Sequence, residues 1–408
     1  MKYVVVLGDG MSDYPVAELG DKTPLEFADK PNINSLARRG ILGLAQTVPA
    51  GMSPGSDTAN LSVLGYDPRV YYSGRSPFEA ASMGIQLLDT DVTFRCNFIT
   101  LSAGSTYEDC VMLDHSADEI TTDEARQLLS VVSQQLIQAE INFYAGVSYR
   151  HLMVWQHGPL DWNLTPPHDI LGRPVKDYLP KGDQSGLLTA MMKKSAQFLP
   201  DHAINKQRVA KGLRPANAIW IWGEGKKPRL TSFQHKYGLK GAVISAVDLI
   251  KGLGLCAGLE SINVVGATGN LNTNFVGKAE AALQALARGL DFVYIHIEAP
   301  DECGHRQEVF NKVKAIELID QKVVKTLVEG LDRLGEDYRI MILPDHATPL
   351  SLRTHTMDPV PFLIYQKSKE LNLPSQKYDE AAAMDAGLFI REGYTLMDIF
   401  LEQAVKGA

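Results

Sequence analysis

Three short apolar runs, each halted by an acidic or imidazole side chain, constrain this chain more than any other feature. Tyr3–Leu7 stops at Gly8-Asp9-Gly10, Asp291–Ile297 stops at Glu298-Ala299-Pro300-Asp301, and Arg339–Leu343 stops at Pro344-Asp345-His346. Runs this short and this apolar, without polar alternation, read as strands buried on both faces, as in parallel sheets. Helical patterns alternate with them. Asn311–Leu331 carries Val313, Ile316, Ile319 and Val323 near the 3.6-residue period, and Lys278–Leu290 is rich in Ala and Leu. The alternation predicts an α/β fold with a mostly parallel sheet flanked by helices.

At 408 residues the chain exceeds what a single core usually holds, so two domains are expected. The texture changes in the middle. A helical pattern over 121–140 precedes short strand-like runs at 141–145 and 151–155, and Gly158–Pro228 is rich in turn formers. The expectation is a smaller α/β (α+β) domain, 86–235, inserted into a core made of 1–85 and 236–408. The net charge of −8 offers no basic excess to neutralise nucleic-acid phosphates. No apolar run approaches the roughly 18 residues a membrane helix needs, and the start lacks a signal-peptide pattern. A cytoplasmic protein that binds neither nucleic acid nor membrane is expected. Cys96, Cys110, Cys256 and Cys303 form no CxxC pair and read as free thiols.

In open parallel sheets, ligands bind beyond the carboxyl ends of the strands. Asp9, Asp301, Asp345 and His346 all stand there. His305 follows Asp301 by four residues, which puts both on one face of a helical turn. His355 lies close enough to fold back over the same edge. A lone Asp after a strand is commonly a turn former or cap, so the signal is the conjunction of three strand ends. Oxygen and imidazole donors in this mixture suit divalent cations such as Zn²⁺ or Mn²⁺. Residues 49–64, PAGMSPGSDTANLSVL, form a turn and then a helix opened by Ser56. Serine there is a common N-cap. The same place puts a hydroxyl where a helix N-terminus receives phosphate, and a metal-bound serine can attack phosphorus. Both readings stand on the local sequence.

The segments VVVLGDGMSDYP, GMSPGSDTANLSVLGYDP, GRSPFEAASMGI, FRCNFITL, GLKGAVISAVDLIKGLG, GATGNLNTNF, FVYIHIEAPDECGHR, ILPDHATP and HTMDPVPF span most of the chain. In this order they resemble the alkaline phosphatase superfamily. The nearest resemblance is to the cofactor-independent (2,3-bisphosphoglycerate-independent) phosphoglycerate mutases of archaeal type, with the bacterial branch sometimes labelled proposed homoserine kinase. The resemblance implies an alkaline-phosphatase-like core that binds two divalent ions (Mn, Zn, Co or Mg) and no organic cofactor. Asp9, Ser56, Asp345 and His346 would hold one ion, and Asp301, His305 and His355 the other. Ser56 would take the phosphoryl group of a small phosphorylated substrate, 3-phosphoglycerate, as phosphoserine and return it to the neighbouring hydroxyl. Basic groups of the inserted domain would hold the substrate: Arg150, His151, His168 and Arg173, with Lys240 from the core. Asn60, Asn97 and Arg75 are weaker candidates for the mouth of the cleft. A lid that excludes water would protect the phosphoserine from hydrolysis. The alternatives with the same metal core are a phosphatase or phosphodiesterase, and a phosphotransferase acting on homoserine. No GxxxxGK[ST] loop is present, so a P-loop kinase is excluded.

Overall fold

The computed structural model describes residues 1–160, 162–182, 184–373 and 376–402. The chain divides into two compact units, Met1–Tyr72 with Arg229–Ala408, and Ser73–Pro228.

The larger unit is built on an eight-stranded sheet. Its strands lie in the order Glu260–Ile262, Gly241–Ile244, Phe292–Ile297, Lys2–Gly8, Tyr338–Leu343, Val360–Gln366, Ile41–Ala45 and Phe389–Ile390. Among the described residues, five of the seven neighbouring pairs run parallel, and Val360–Gln366 runs antiparallel to both of its neighbours. The three runs singled out in the sequence are adjacent at the centre, and nearly every residue of theirs is buried. Their register decides where the following loops go. Gly8 pairs with Ile297 and Leu7 with Leu343, so the three strands end together and deliver their following loops to one edge. Val4, Val6, Val293, Ile295, Ile340 and Ile342 join the main apolar core beneath the helices Phe275–Ala287 and Val309–Leu318.

The second of these helices continues as a π-helical stretch, Ile319–Val324, and then as Lys325–Leu334. The stretch presents Asp320 to the start of the helix Pro31–Ala37. Its carboxylate accepts from Ile33 N and Asn32 Nδ2, both at 2.7 Å, and the first of these satisfies a backbone donor that a helix N-terminus leaves unpaired.

The smaller unit is an antiparallel sheet. Val92–Leu101 lies between Arg150–Trp155 and Ala218–Lys226, and Met112–Asp114 and Ile141–Tyr144 extend it. Its core packs on the helices Thr122–Gln135 and Ser185–Phe198. Thr121 and Glu124 close a reciprocal capping box on the first of these. The unit starts before residue 86 because the helix Ser76–Ser82 belongs to it. Ser76 Oγ bonds Thr93 O at 3.1 Å and Thr93 Oγ1 at 2.8 Å. It ends before 235 because the next segment packs in the larger unit, where Phe233 stacks on Phe292 with ring centroids 4.4 Å apart. All four cysteines are free. No helix among the described residues is long and apolar enough to cross a membrane.

Candidate active site

Asp9 leaves the central strand with its N–H bonded to Ile297 O at 2.9 Å, and its side chain points into the edge. The turn needs Gly10, whose φ is +63°. A Cβ there would meet Thr348 Oγ1 at 2.5 Å and Asp301 Oδ1 at 2.8 Å. Asp345 is fully buried and held from several sides. Its Oδ1 accepts from His346 N at 2.9 Å and Gly10 N at 3.3 Å, and its Oδ2 accepts from Asn60 Nδ2 at 2.8 Å. His346 Nε2 lies 3.5 Å from Asp9 Oδ1, 3.4 Å from Asp345 Oδ2 and 3.2 Å from Ser56 Oγ. Ser56 is the first residue of the helix Ser56–Val63, Gly55 is the N-cap, and no side chain caps that terminus. The hydroxyl therefore does not act as a helix cap and faces the imidazole instead.

A second group adjoins the first. Asp301 and His305 sit one turn apart on the helix Ala299–His305, with His305 Nε2 3.2 Å from Asp301 Oδ2. His355 does fold back, placing its Nε2 3.3 Å from Asp301 Oδ1 and 2.9 Å from His305 Nε2. Donor atoms of Asp9, Asp345 and His346 lie within 4.8 Å of one another, and so do those of Asp301, His346 and His355. One imidazole is common to both sets, which the division drawn from the sequence did not contain.

The electrostatics fit a cation. Burial, then the neighbouring Asp345 and Asp301 carboxylates, push the Asp9 pKa well above the carboxylate range. Asp9 Oδ1 is buried without a hydrogen-bond partner, and a bound divalent ion would satisfy it. Burial alone would raise Asp301 as well, but hydrogen bonds from His305 and His355 outweigh it and hold the group well below its usual value.

Sequence reasoning missed two supporting groups. His296 Nε2 lies 3.0 Å from Asp9 Oδ2, and its Nδ1 is 3.2 Å from Ser245 Oγ. With Asp9 ionised, His296 donates through Nε2 and accepts through Nδ1, fixing the carboxylate from behind. Burial pushes its pKa down to about 3, so it stays neutral. Tyr294, two residues earlier on the same strand face, donates to Asn60 Oδ1 at 2.6 Å. Asn60 is therefore a buried link between Tyr294 and Asp345, away from any cleft mouth. An imidazole and a phenol in alternate register within an otherwise apolar strand were the available signal.

Residues 37–205 match the family model described as 2,3-bisphosphoglycerate-independent phosphoglycerate mutase. A probable 2,3-bisphosphoglycerate-independent phosphoglycerate mutase of Geobacter sulfurreducens is 50% identical over 403 residues, covering 99% of this chain and 100% of that protein. The 2,3-bisphosphoglycerate-independent phosphoglycerate mutase of Methanothrix thermoacetophila is 49% identical over 98% of this chain and 100% of its own. The chain belongs to the 2,3-bisphosphoglycerate-independent phosphoglycerate mutase family. Among solved structures, the PH0037 protein of Pyrococcus horikoshii is similar with a TM-score of 0.80 and 31% identity, covering 100% of this chain and 99% of that one. The cofactor-independent phosphoglycerate mutase of Thermoplasma acidophilum has a TM-score of 0.65 and 29% identity, covering 98% and 99%.

In this member of the mutase family, the basic residues expected at the substrate fall in different places. Arg150 and His168 lie on one face of the smaller unit, joined by ring contacts. Arg150 stands over Tyr149, which meets His115 edge-on; His115 meets His168, and His168 meets Trp222, with Arg95 over its ring at 4.4 Å. Arg95 and His115 were not anticipated. Asn97 joins this face by accepting from Trp222 Nε1 at 3.1 Å. His151 is buried, and its Nδ1 accepts from Gly146 N. Arg173 is exposed and bonds Tyr178 Oη at 3.1 Å, and Arg75 pairs with Glu79. Lys240 is corrected. It precedes the strand Gly241–Ile244, whose Gly241 pairs with Phe292, and so lies at the opposite edge of the sheet from Asp9 and Asp301.

Proposed function

We propose that this chain is a cytoplasmic enzyme that interconverts 3-phosphoglycerate and 2-phosphoglycerate through a phosphoserine on Ser56. The observation that carries the reading is the Ser56 hydroxyl 3.2 Å from the one imidazole common to two carboxylate–histidine groups. Asp9, Ser56, Asp345 and His346 hold one divalent ion, of Mn, Zn, Co or Mg, and Asp301, His305 and His355 hold the other. Bound there, the two ions supply Lewis-acid stabilisation of charge on the phosphoryl oxygens and favour the serine alkoxide.

The protein's own part is positioning. The start of the helix Ser56–Val63 directs its positive end towards the incoming phosphate. In the first half-reaction Ser56 Oγ loses its proton and bonds to phosphorus as the bond from phosphorus to the C3 oxygen of the substrate breaks. That oxygen then takes a proton. In the second half the C2 hydroxyl loses its proton and attacks the phosphoserine, and Ser56 leaves and regains its proton. The glycerate must stay bound between the halves. Arg150 and His168 are proposed to hold its carboxylate, and exclusion of water prevents loss of the phosphoryl group.

The test is direct. Metal-loaded protein is incubated with 3-phosphoglycerate, 2-phosphoglycerate is followed through a coupled enolase, and the quenched enzyme is searched for phosphate on Ser56. No turnover with Mn²⁺, Co²⁺, Zn²⁺ or Mg²⁺ would sink the mutase reading.

A further inference from the structure

We infer that Thr348 is a positioning residue whose single hydroxyl links the two metal-binding groups, so that both ions lose affinity when it is removed. The inference rests on the assignment of the two ligand groups given above. Thr348 is fully buried. Its Oγ1 donates to Asp301 Oδ1 at 2.5 Å and lies 3.3 Å from His346 Nδ1. With His346 turning Nε2 towards Asp9, Asp345 and Ser56, its neutral ring carries the proton on Nδ1. That N–H donates to Thr348 Oγ1, and the hydroxyl passes its own proton on to Asp301. A directed chain from His346 through Thr348 to Asp301 therefore orients one ligand of each group.

The surroundings fix Thr348 in this role. All three strand-end loops meet at its side chain. A Cβ on Gly10 of the first loop would stand 2.5 Å from its Oγ1, and one on Gly304 of the second would stand 2.8 Å from its Cγ2. Thr348 itself belongs to the third loop. Its carbonyl accepts from the buried Lys312 Nζ at 2.8 Å, and the same ammonium pairs with Asp13 Oδ2 at 2.6 Å. The side chain cannot swing away, so the hydroxyl serves both ligands at once. Partners of metal ligands typically change metal affinity by about 10–100-fold.

The test compares Thr348→Val with Thr348→Ser in the full-length, metal-stripped protein, using Mn²⁺ alone as the probe. Calorimetry and electron paramagnetic resonance count the ions, and histidine-selective ¹H–¹⁵N spectra of the Zn²⁺-loaded protein report the proton on His346 Nδ1. Thr348→Val is expected to bind both ions at least about tenfold more weakly and to alter the His346 signal, while Thr348→Ser stays close to wild type on both counts. Thr348→Ala deletes the same hydroxyl without filling the slot, so a folding failure of the valine variant does not remove the test. Wild-type affinity for both ions in the valine or alanine variant overturns the inference. A serine variant as weak as the valine variant also overturns it, because methyl packing would then be the cause. A wild-type protein that binds no Mn²⁺ overturns the ligand assignment and this inference together, and is recognised before any variant is made.

Discussion

The two acid–histidine groups at the sheet edge are built on opposite charge logic. Asp9, Asp345 and His346 bring two carboxylates and one imidazole into a site where no side chain is more than 2% exposed. Asp301, His305 and His355 bring one carboxylate and two imidazoles, and the histidine side chains keep 35% and 22% of their surface. In the outer group each acid oxygen already faces an imidazole nitrogen, and the Asp301 partner raises the His305 pKa to about 9. In the inner group an oxygen of Asp9 is orphaned and its acid is pushed towards protonation. The outer group holds its geometry through its own acid–imidazole contacts. The inner group balances its charge only with a cation, because two buried carboxylates cannot both stay ionised side by side without one.

The largest effect should come from the hydroxyl beside the inner group. Ser56→Ala is expected to lower kcat by on the order of 10⁴-fold or more while metal analysis still finds two ions. Activity within tenfold of wild type would remove Ser56 from the chemistry. Next comes His305→Ala, which should lose the outer ion and keep the inner one. Loss of both would show that the groups do not fill independently.

The contrast becomes sharpest in protein stripped with a chelator. Asp9→Asn removes a repelled charge and should raise the melting temperature by about 2–4 °C, the equivalent of about 1 kcal/mol in a domain of this size. Asp301→Asn removes the partner of two imidazoles and should lower it by at least as much. Shifts of the same sign would refute the difference drawn between the groups.

His151 in the smaller unit is the limiting case, a buried imidazole with no acid beside it, and burial pushes its pKa down to about 3. A histidine depressed in the folded state resists protonation there while the unfolded chain accepts the proton near 6.5. Its contribution is thus fully present above pH 6.5 and is lost as pH falls from 6.5 towards 3, at up to about 1.4 kcal/mol per unit. Urea melts followed by tryptophan fluorescence should show that slope, and His151→Asn should flatten it. The smallest effect expected is that of Tyr294→Phe, which deletes the hydrogen bond to Asn60 and should cost about 1 kcal/mol or less. A much larger loss in a melting experiment would mean that Asn60 and Asp345 rearrange with it.

The gathering of Asp9, Asp301, Asp345 and His346 was legible in the sequence because each sits within a few residues of a strand end, and local order is what hydrophobic patterning reveals. Asp9, Asp301, Asp345 and His346 follow their strands, and the in-register strand ends bring them to one edge. Lys240 fails by the same rule, since it stands before its strand. His296 and Tyr294 were passed over because side chains inside an apolar strand look like filler until a neighbour such as Asn60 is known to face them. That His346 lies within 4.8 Å of donors in both groups depends on how His355 folds back within the long connection between Leu343 and Val360, which spacing along the chain does not fix. The antiparallel pairing of Val360–Gln366 was equally hidden, because a fully buried strand carries no mark of its direction.

The central strand of the larger sheet is synthesised long before both of its partners, and this sets a schedule for folding. Lys2–Gly8 pairs with strands that begin at residues 292 and 338. At about 5–20 residues per second it waits roughly 15–70 s for both partners to leave the ribosome. The Ser73–Pro228 unit is continuous and can complete its own sheet during that delay. Until Tyr338–Leu343 emerges, this apolar strand keeps at least one unpaired edge, the kind of edge that invites pairing with another chain.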